Sequence, residues 1–367
     1  MHKTTFTSES VCAGHPDKIC DQISDAVVDA VLAKDPMGRV AVESVAANNH
    51  IILAGEVSTT ATIDFEKIAR GEIKRLGYVD KESGFSFESP LDNYIHEQSR
   101  EIARGVKKKG AGDQGMMFGY ACRETSSFMP LPIALAHAIA QKIDEVRENN
   151  TLSYLRPDGK SQVTVAYEND KPVAVTKVVA AAPHREDVPL EKVKKDLYTF
   201  VILPVLKSEG FSIDEKDITI NGTGVWHRGG PSSDSGLTGR KIVVDTYGGY
   251  ARVGGGAFSG KDPTKVDRSG AYAARYLAKN IVASGLADRA EVRLAYAIGV
   301  RKPLMQDIET FGTETVSAKA LHDYMKKLLD TSVEGIIDGL DLRRPLYKKT
   351  AAYGHFGKKG LPWEKIV

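Results

Sequence analysis

The stretch from Gly254 to Ser269 constrains this chain most, because three consecutive glycines leave the backbone without side chains on which to pack. Without a Cβ on any of residues 254–256, an anion can approach the main-chain N–H groups closely. Lys261 and Lys265 follow and add positive charge. Asp262 and the proline after it are typical of the cap and first residue of a helix, whose N-terminal dipole favours the same anion. The stretch therefore predicts a phosphate-binding loop in front of a helix.

The same stretch almost fits the P-loop pattern of nucleoside triphosphatases. Gly255 to Lys261 matches G-x-x-x-x-G-K, but Asp262 stands where that motif has the serine or threonine that binds magnesium. Any metal on the phosphates would then need carboxylates from elsewhere, and Asp267 is the nearest candidate. The alternative is a glycine-rich hairpin that leads into a helix, with lysines that are only solvated.

Composition and charge exclude several classes of protein. The chain has 367 residues, enough for two or three domains, and its 50 basic and 48 acidic residues argue against nucleic-acid binding. Cys12, Cys20 and Cys122 match neither a disulfide framework nor a C-x-x-C zinc spacing, which suits a reducing compartment. No apolar signal core or membrane-spanning run is present. We therefore expect a cytoplasmic protein that binds neither nucleic acid nor a membrane.

The first strongly periodic segment predicts an amphipathic helix from Ile19 to Lys34, with apolar residues every four positions. Pro16 suits its first turn, which places His15, Asp17 and Lys18 together at the helix mouth. These residues are candidates for an anion or metal site. The alternative is that Asp17 only complements the helix dipole while His15 caps the end.

Two acids lie on a predicted hairpin of strands, Arg39–Ala47 and Ile51–Thr59. Glu43 and Glu56 each stand among apolar residues, and the solvent face of a half-buried sheet is their ordinary place. Further on, the segment from 110 to 115 matches G-x-G-x-x-G. The match is not a dinucleotide site, because no strand precedes it and no helix follows it. It predicts a turn that buries or aims Asp113.

The remaining segments mix helices and strands. They predict helices at Ile63–Leu76, Leu131–Glu148, Val188–Lys207, Asp267–Leu286 and Ala318–Leu329, and strands at Ser161–Tyr167, Pro172–Ala182, Asp217–Asn221, Ile242–Thr246 and Glu291–Val300. This order, with two hairpins, indicates an α+β fold with partly antiparallel sheets.

Cations and acids recur in the predicted turns. The cations are Lys18, Lys160, Arg240, Lys241, Lys261 and Lys265, and the acids are Asp17, Asp113, Asp158, Asp234 and Asp267. This combination suits a polyphosphate held by basic side chains and by carboxylate-bound magnesium. No serine or cysteine lies in a recognisable nucleophile motif, so the sequence favours catalysis by positioning and charge stabilisation.

Five segments, in order along the chain, resemble the S-adenosylmethionine synthetase (methionine adenosyltransferase) family. They are Thr7–Ser10, Gly14–Lys18, Gly110–Gly115, Gly236–Lys241 and Gly254–Asp262. The resemblance implies that methionine sulfur attacks C5′ of ATP, giving S-adenosylmethionine. The released triphosphate is then hydrolysed to pyrophosphate and phosphate.

The resemblance also implies roles for individual residues. His15 would stabilise charge on the leaving triphosphate oxygen, and Asp113 would face the sulfonium. Lys160, Arg240, Lys241 and Lys261 would bind phosphates, and Asp158, Val225, Trp226, Asp234 and Ala257 would complete the ATP site. Methionine would be bound by Glu56, Gln98, Asp234 and Lys265. Asp17 and Asp267 would hold two magnesium ions per site, and Glu43 a potassium ion.

The family's fold is three similar α+β domains, which the resemblance places at residues 1–98, 110–226 and 227–367. Residues 99–109 would form a mobile gating loop. The family's active sites lie between two subunits, so a homodimer, and a dimer of such dimers, is expected. ATP and L-methionine are the expected substrates.

One segment departs from the family pattern. Relatives usually have Asn-Pro-Thr-Gly-Arg-Phe where this chain has Asn221 to Trp226, so Val225 replaces a cation and Trp226 a phenylalanine. Trp226 can still stack on adenine, and Arg228 offers a nearby cation.

The alternatives to the synthetase interpretation are a magnesium-dependent kinase or nucleoside triphosphatase, and a nucleotide-binding scaffold without catalysis.

Overall fold

The computed structural model of the chain describes residues 2–80, 82–97 and 110–367. Its strands are β1 (Lys3–Val11), β2 (Arg39–Ala47), β3 (His50–Ser58), β4 (Leu91–Glu97), β5 (Gly115–Cys122), β6 (Lys160–Glu168), β7 (Lys171–Ala181), β8 (Ile218–Ile220), β9 (Gly236–Leu237), β10 (Arg289–Tyr296) and β11 (Met305–Glu309). Its helices are α1 (Pro16–Lys34), α2 (Phe65–Arg75), α3 (Leu131–Glu148), α4 (Leu190–Leu197), α5 (Leu203–Ser208), α6 (Ile242–Asp245), α7 (Val266–Ala283), α8 (Ala318–Leu328) and α9 (Val333–Gly339).

The strands form sheets of mixed direction. Their orders are β1-β6-β7-β8, β11-β10-β5 and β4-β3-β2-β9. The pairs β3–β4 and β7–β8 are parallel, and the other pairs are antiparallel. The α+β class with partly antiparallel mixed sheets is thereby confirmed.

One long helix packs on each sheet. Helix α3 lies on β1 and β6, α7 on β5 and β10, and α1 on β2. The three layers are therefore built alike, although each sheet joins strands that are far apart in the sequence. The first sheet pairs Lys3–Val11 with Lys160–Glu168, and β9 of the third sheet comes from residues 236–237. The domain boundaries expected from the resemblance stay predictions.

Helix α1 follows its sequence pattern closely. The apolar residues Ile19, Ile23, Val27 and Val31 are all fully buried, as a repeat of four residues on one helix face requires. Pro16 is the first helical residue and His15 is the N-cap. The predicted helix and its start are confirmed.

Two local predictions were wrong. The apolar run from Ile242 to Thr246 is not a strand but the single helical turn α6, because a short apolar run does not distinguish the two periods. Asp262 does not cap a helix. Its buried carboxylate instead accepts hydrogen bonds from the N–H groups of Val40 (2.8 Å) and Thr264 (2.8 Å), and α7 begins four residues later at Val266.

Other segments were only partly predicted. The predicted helix Val188–Lys207 is interrupted between α4 and α5 by a π-helical segment, Tyr198–Ile202. Pro204 explains the interruption, since it has no N–H to continue the helical hydrogen bonds. Strands β1, β4, β5, β9 and β11 and helix α9 were not predicted. In β1, alternate buried positions are the serines Ser8 and Ser10, so the apolar alternation that identifies a strand is weak.

The G-x-G-x-x-G segment does not open a dinucleotide-binding unit. Its last glycine, Gly115, begins β5, which pairs antiparallel with β10. Rejection of the dinucleotide interpretation is therefore confirmed. Across the described residues, no helix combines the length and apolar character needed to cross a membrane.

Candidate active site

His15 lies at the mouth of α1 and is almost fully buried. The N–H of Asp17 donates a hydrogen bond to its Nδ1 (3.2 Å), so the neutral ring carries its proton on Nε2. Burial, together with the positive charges of Lys241 and Lys160, lowers the pKa of His15 to about 3. His15 is therefore a neutral hydrogen-bond donor at pH 7, held in one tautomer by the helix cap.

Asp17, in the first turn of α1, is fully buried, and its carboxylate binds several groups of the segment 237–241. Its carboxylate accepts from the N–H of Leu237 (3.0 Å) and pairs with Arg240 Nε (2.9 Å) and with Lys241 Nζ. Burial alone would raise the pKa of Asp17, but the bonds from Lys241 and Leu237 outweigh it and lower the pKa. The side chains of His15, Asp17, Arg240 and Lys241 are called here the Asp17 group.

The turn after β9 carries both cations of this group. Strand β9 pairs with β2, and Gly236 packs so closely on the carbonyl of Pro16 that a Cβ there would overlap it. Gly239 has a φ of +77°, which favours glycine and turns the chain toward Arg240 and Lys241. The local backbone thus delivers both cations to the mouth of α1.

A second group lies on the glycine-rich stretch and the start of α7. Lys261 Nζ is 2.7 Å from Asp267 Oδ2, and Lys261 forms a β-bridge with Ala41 of β2. A Cβ at Gly256 would overlap the carboxyl group of Asp267, and one at Gly254 the carbonyl oxygen of Met116. Close packing therefore also explains why these two positions are glycines, in addition to any approach of an anion to the backbone. Ala257, Lys261 and Asp267 are called here the Lys261 group.

The two groups approach each other at one turn. A Cβ at Gly239, next to Arg240, would overlap the methyl group of Ala257. Thr238 and Ala257 also line a cavity of about 340 Å³ with Lys261, Glu43 and Glu56. Glu43 and Glu56 share this cavity because β2 and β3 place Glu43 opposite Ala54 and Glu56 opposite Ala41, on one sheet face. The fold therefore brings the Asp17 group and the Lys261 group together with Glu43 and Glu56, around residues 238–257.

Lys160 and Asp158 border the Asp17 group from the start of β6. Lys160 is exposed and pairs in register with Val11, four residues before His15. Asp158 is buried and accepts hydrogen bonds from the N–H groups of Gly159 (2.7 Å) and Gly230 (2.7 Å). Burial raises the pKa of Asp158 to about 7. Asp158 thus fastens the segment that follows Trp226.

The remaining candidates differ in their surroundings. Trp226 is partly exposed and donates through Nε1 to the carbonyl of Arg228 (2.7 Å), while Val225 is exposed. Lys265 pairs with the buried carboxylate of Asp262. Asp113 and Asp234 are both exposed, so the turn does not bury Asp113. Gln98 and the expected gating loop 99–109 lie outside the described residues.

A row of aspartates on α1 was missed from the sequence, although its signal is plain. Asp17, Asp21, Asp25 and Asp29 recur every four residues and so lie on one helix face. Asp21 accepts from Gly239 N–H (2.8 Å), Asp25 from Gly260 N–H (2.9 Å), and Asp29 from the N–H groups of Tyr347 and Lys348 (2.9 Å each). The row binds backbone that arrives from the second half of the chain.

Asp25 has a further partner that holds the glycine-rich stretch. Both oxygens of its carboxylate pair with Arg268, at 2.6 and 2.7 Å, and both side chains are fully buried. Arg268 also donates to the carbonyl of Lys261 (2.9 Å). This ion pair therefore fixes Lys261 between α1 and α7.

Within the described ranges, no set of three histidine, cysteine or acidic side chains could hold a metal ion by itself. Magnesium in phosphate sites commonly takes one or two protein carboxylates and completes its shell with water and phosphate oxygens. Asp17 and Asp267 fit that requirement, because each is a single carboxylate beside a lysine that could turn to phosphate.

Three domain models of one known protein family match almost the entire chain. Residues 3–100 match "S-adenosylmethionine synthetase, N-terminal domain", residues 108–226 match the central domain and residues 228–365 match the C-terminal domain. The three matches follow one another in the family's order, and the three helix-on-sheet layers agree with this architecture. The chain therefore belongs to the S-adenosylmethionine synthetase family, whose members are methionine adenosyltransferases.

Proposed function

We propose that this methionine adenosyltransferase binds the triphosphate of ATP between the Asp17 group and the Lys261 group. The reaction of the family joins methionine sulfur to C5′ of ATP and then hydrolyses the released triphosphate to pyrophosphate and phosphate. No protein nucleophile is needed, since the substrate sulfur is the nucleophile. The residues have to bind, orient and stabilise charge.

The pairing of Asp17 with Arg240 and Lys241 carries this proposal. A buried carboxylate neutralises these cations in the protein alone. A magnesium triphosphate offers the carboxylate a metal ion and offers the cations phosphate oxygens, so every charge keeps a partner. Lys261 and Asp267 form the same kind of pair in the second group. Lys160 would add a further phosphate contact.

His15 is proposed to donate to the triphosphate oxygen that leaves C5′. Its proton is on Nε2, because Nδ1 accepts from Asp17 N–H. As the C5′–O bond breaks, negative charge grows on that oxygen, and a preorganised N–H stabilises it. The low pKa means that the ring acts as a neutral donor and does not depend on being protonated.

The proposed metals are two magnesium ions, held by Asp17 and Asp267, and a potassium ion held near Glu43. When bound, these ions would neutralise triphosphate charge and hold the leaving group. Glu43 is exposed on the sheet face beside the 340 Å³ cavity, which leaves its carboxylate accessible.

Methionine is proposed to bind beside this cavity, with Glu56 and Lys265 among its contacts. Asp234 and Gln98 would complete that set, and Asp113 would face the sulfonium as sulfur becomes positive. For the nucleotide, Trp226 would stack on adenine, with Val225, Asp158 and Ala257 around it. The tie from Asp158 to Gly230 supports this, because it holds the segment after Trp226 in place.

A homodimer with shared active sites, and a dimer of dimers, is proposed as the assembly. The face of the third sheet that bears Glu43 also exposes Tyr94 (64%) and Leu237 (39%), and large apolar side chains on an open sheet favour a partner.

We further propose a cytoplasmic location, and domains at residues 1–98, 110–226 and 227–367 with a gating loop at 99–109.

The assay that tests this function uses the purified protein with ATP, methionine, magnesium and potassium. We expect S-adenosylmethionine, pyrophosphate and phosphate, formed only when methionine is present. ADP as the main product would instead indicate a kinase or nucleoside triphosphatase. Absence of turnover, with ATP still bound, would indicate a binding scaffold.

A further inference from the structure

The segment that carries Arg240 and Lys241 is held by α1 at both of its ends. At its start, Asp17 accepts from Leu237 N–H (3.0 Å) and Asp21 accepts from Gly239 N–H (2.8 Å). At its end, the carboxylate of Asp245 pairs with the side chain of another α1 residue. The two phosphate-binding candidates lie between these attachments.

Lys18 is the residue that makes the second attachment. Its ammonium group is fully buried in the first turn of α1, where Nζ donates to Asp21 Oδ2 (2.9 Å) and to Asp245 Oδ1. Lys18 therefore joins both attachments, because Asp21 binds the start of the segment and Asp245 ends α6. His15, at the cap of the same helix, is only three residues away.

We propose that Lys18 is a positioning residue, which sets where Arg240 and Lys241 stand relative to His15. This inference rests on the proposed function, in which Arg240 and Lys241 bind the triphosphate. Lys18 itself touches no substrate. Its ammonium group fixes the distance between the helix that bears His15 and the segment that bears the two cations.

The surroundings of Asp245 extend the same attachment toward the end of the chain. The backbone N–H of His355 donates to the carbonyl of Asp245 (2.9 Å), and His355 Nδ1 is 2.8 Å from Tyr272 Oη of α7. Since α7 begins next to Asp267, the attachment also ties the Asp17 group to the helix of the Lys261 group. A shift of Asp245 is therefore expected to disturb triphosphate binding.

The test is a double-mutant cycle of Lys18→Gln and Lys241→Met, measured as kcat and KM for each substrate. We expect Lys18→Gln to raise the KM for ATP by about tenfold and to change the KM for methionine by less than about twofold. Added to Lys241→Met, it should raise the KM for ATP by a smaller factor than it does alone, because one of the two cations that it positions is already absent. If Lys18→Gln only lowered the fraction of active protein, kcat would fall and both KM values would stay unchanged.

Lys279→Gln is the matched control, since Lys279 is also a buried lysine that pairs with a carboxylate, Glu364 (2.7 Å). It should lower stability without changing the KM for ATP. If Lys18→Gln gives too little folded protein, the nearly isosteric Asp245→Asn tests the same attachment and should raise the KM for ATP. An unchanged KM for ATP in the Lys18 or Asp245 variant, or losses that multiply in the double mutant, would overturn the inference. A normal KM for ATP in Lys241→Met alone would instead contradict the proposed function.

Discussion

At the scale of single residues, the site depends on buried groups whose charge state is fixed by their surroundings. His15 stays neutral because water is excluded from it and two lysines are near. Asp17 stays ionised although it is buried, because two cations and a backbone N–H surround its carboxylate. A neutral donor beside a paired carboxylate is suited to a substrate that brings its own large negative charge.

Replacement of His15 tests its role as a donor. We expect His15→Asn to lower the rate of S-adenosylmethionine formation by roughly two to three orders of magnitude, as for the loss of one transition-state donor. Single-turnover kinetics measure that rate. The matched control is His137→Gln, which removes another buried histidine with a lowered pKa that bonds to Ser10. A His15→Asn rate within a few-fold of the wild type would rule out the role.

At the scale of elements, the glycine-rich stretch illustrates what packing adds to a motif. The sequence indicated that its glycines admit an anion. The structure shows that Gly254 must pass the carbonyl of Met116, and that Gly256 must make room for Asp267. Gly255 differs, since a Cβ there would meet no heavy atom of the described residues within 4 Å.

A pair of alanine substitutions separates the two explanations for the glycines. Gly256→Ala should displace Asp267 and so raise the magnesium concentration needed for half-maximal activity, by about tenfold or more. Gly255→Ala, the matched control, should change stability and magnesium dependence little. Activity titrated against magnesium measures both. If Gly255→Ala instead weakens ATP binding strongly, close approach of an anion is the dominant reason for the glycines.

Elements with a clear period could be predicted from the sequence, and those set by distant partners could not. Helix α1 and the β2–β3 hairpin were predicted because their apolar residues recur regularly. The run Ile242–Thr246 was wrongly predicted as a strand, since a short apolar run fits either period. The attachment of its Asp245 to α1 through Lys18 joins residues 227 positions apart, which no local pattern reveals. The residues of the Asp17 group were identified from the resemblance. Their convergence on Asp17 depends on contacts more than 200 residues apart in sequence.

At the scale of the whole molecule, buried histidines couple stability to pH. His15, His137 and His355 are all buried, and burial is the main cause that lowers the pKa of each. The pKa of His137 falls from 6.5 to about 3. Below pH 6.5 the unfolded chain therefore binds a proton that the native ring excludes. The stability that this histidine contributes is present above pH 6.5 and is lost as the pH falls below it.

Removal of His137 tests this coupling. Between pH 7.5 and 5.5, a histidine of this kind lowers the free energy of unfolding by about 1.4 kcal/mol. We expect the stability of His137→Gln to depend on pH less than that of the wild type by about this amount. Urea unfolding at the two pH values measures the difference. Parallel pH dependences in the two proteins would contradict it.

The central claim is that the Asp17 group and the Lys261 group bind the same triphosphate, and the proposed homodimer with shared active sites predicts that the two groups of one site come from different copies. Co-expression of His15→Asn with Lys261→Met, each of which we expect to be nearly inactive alone, tests it most directly. Random pairing gives half mixed dimers, each with one intact site of two, so we expect about one quarter of wild-type S-adenosylmethionine formation. Activity that remains at the level of the single variants, in mixed dimers shown to have formed, would contradict the claim.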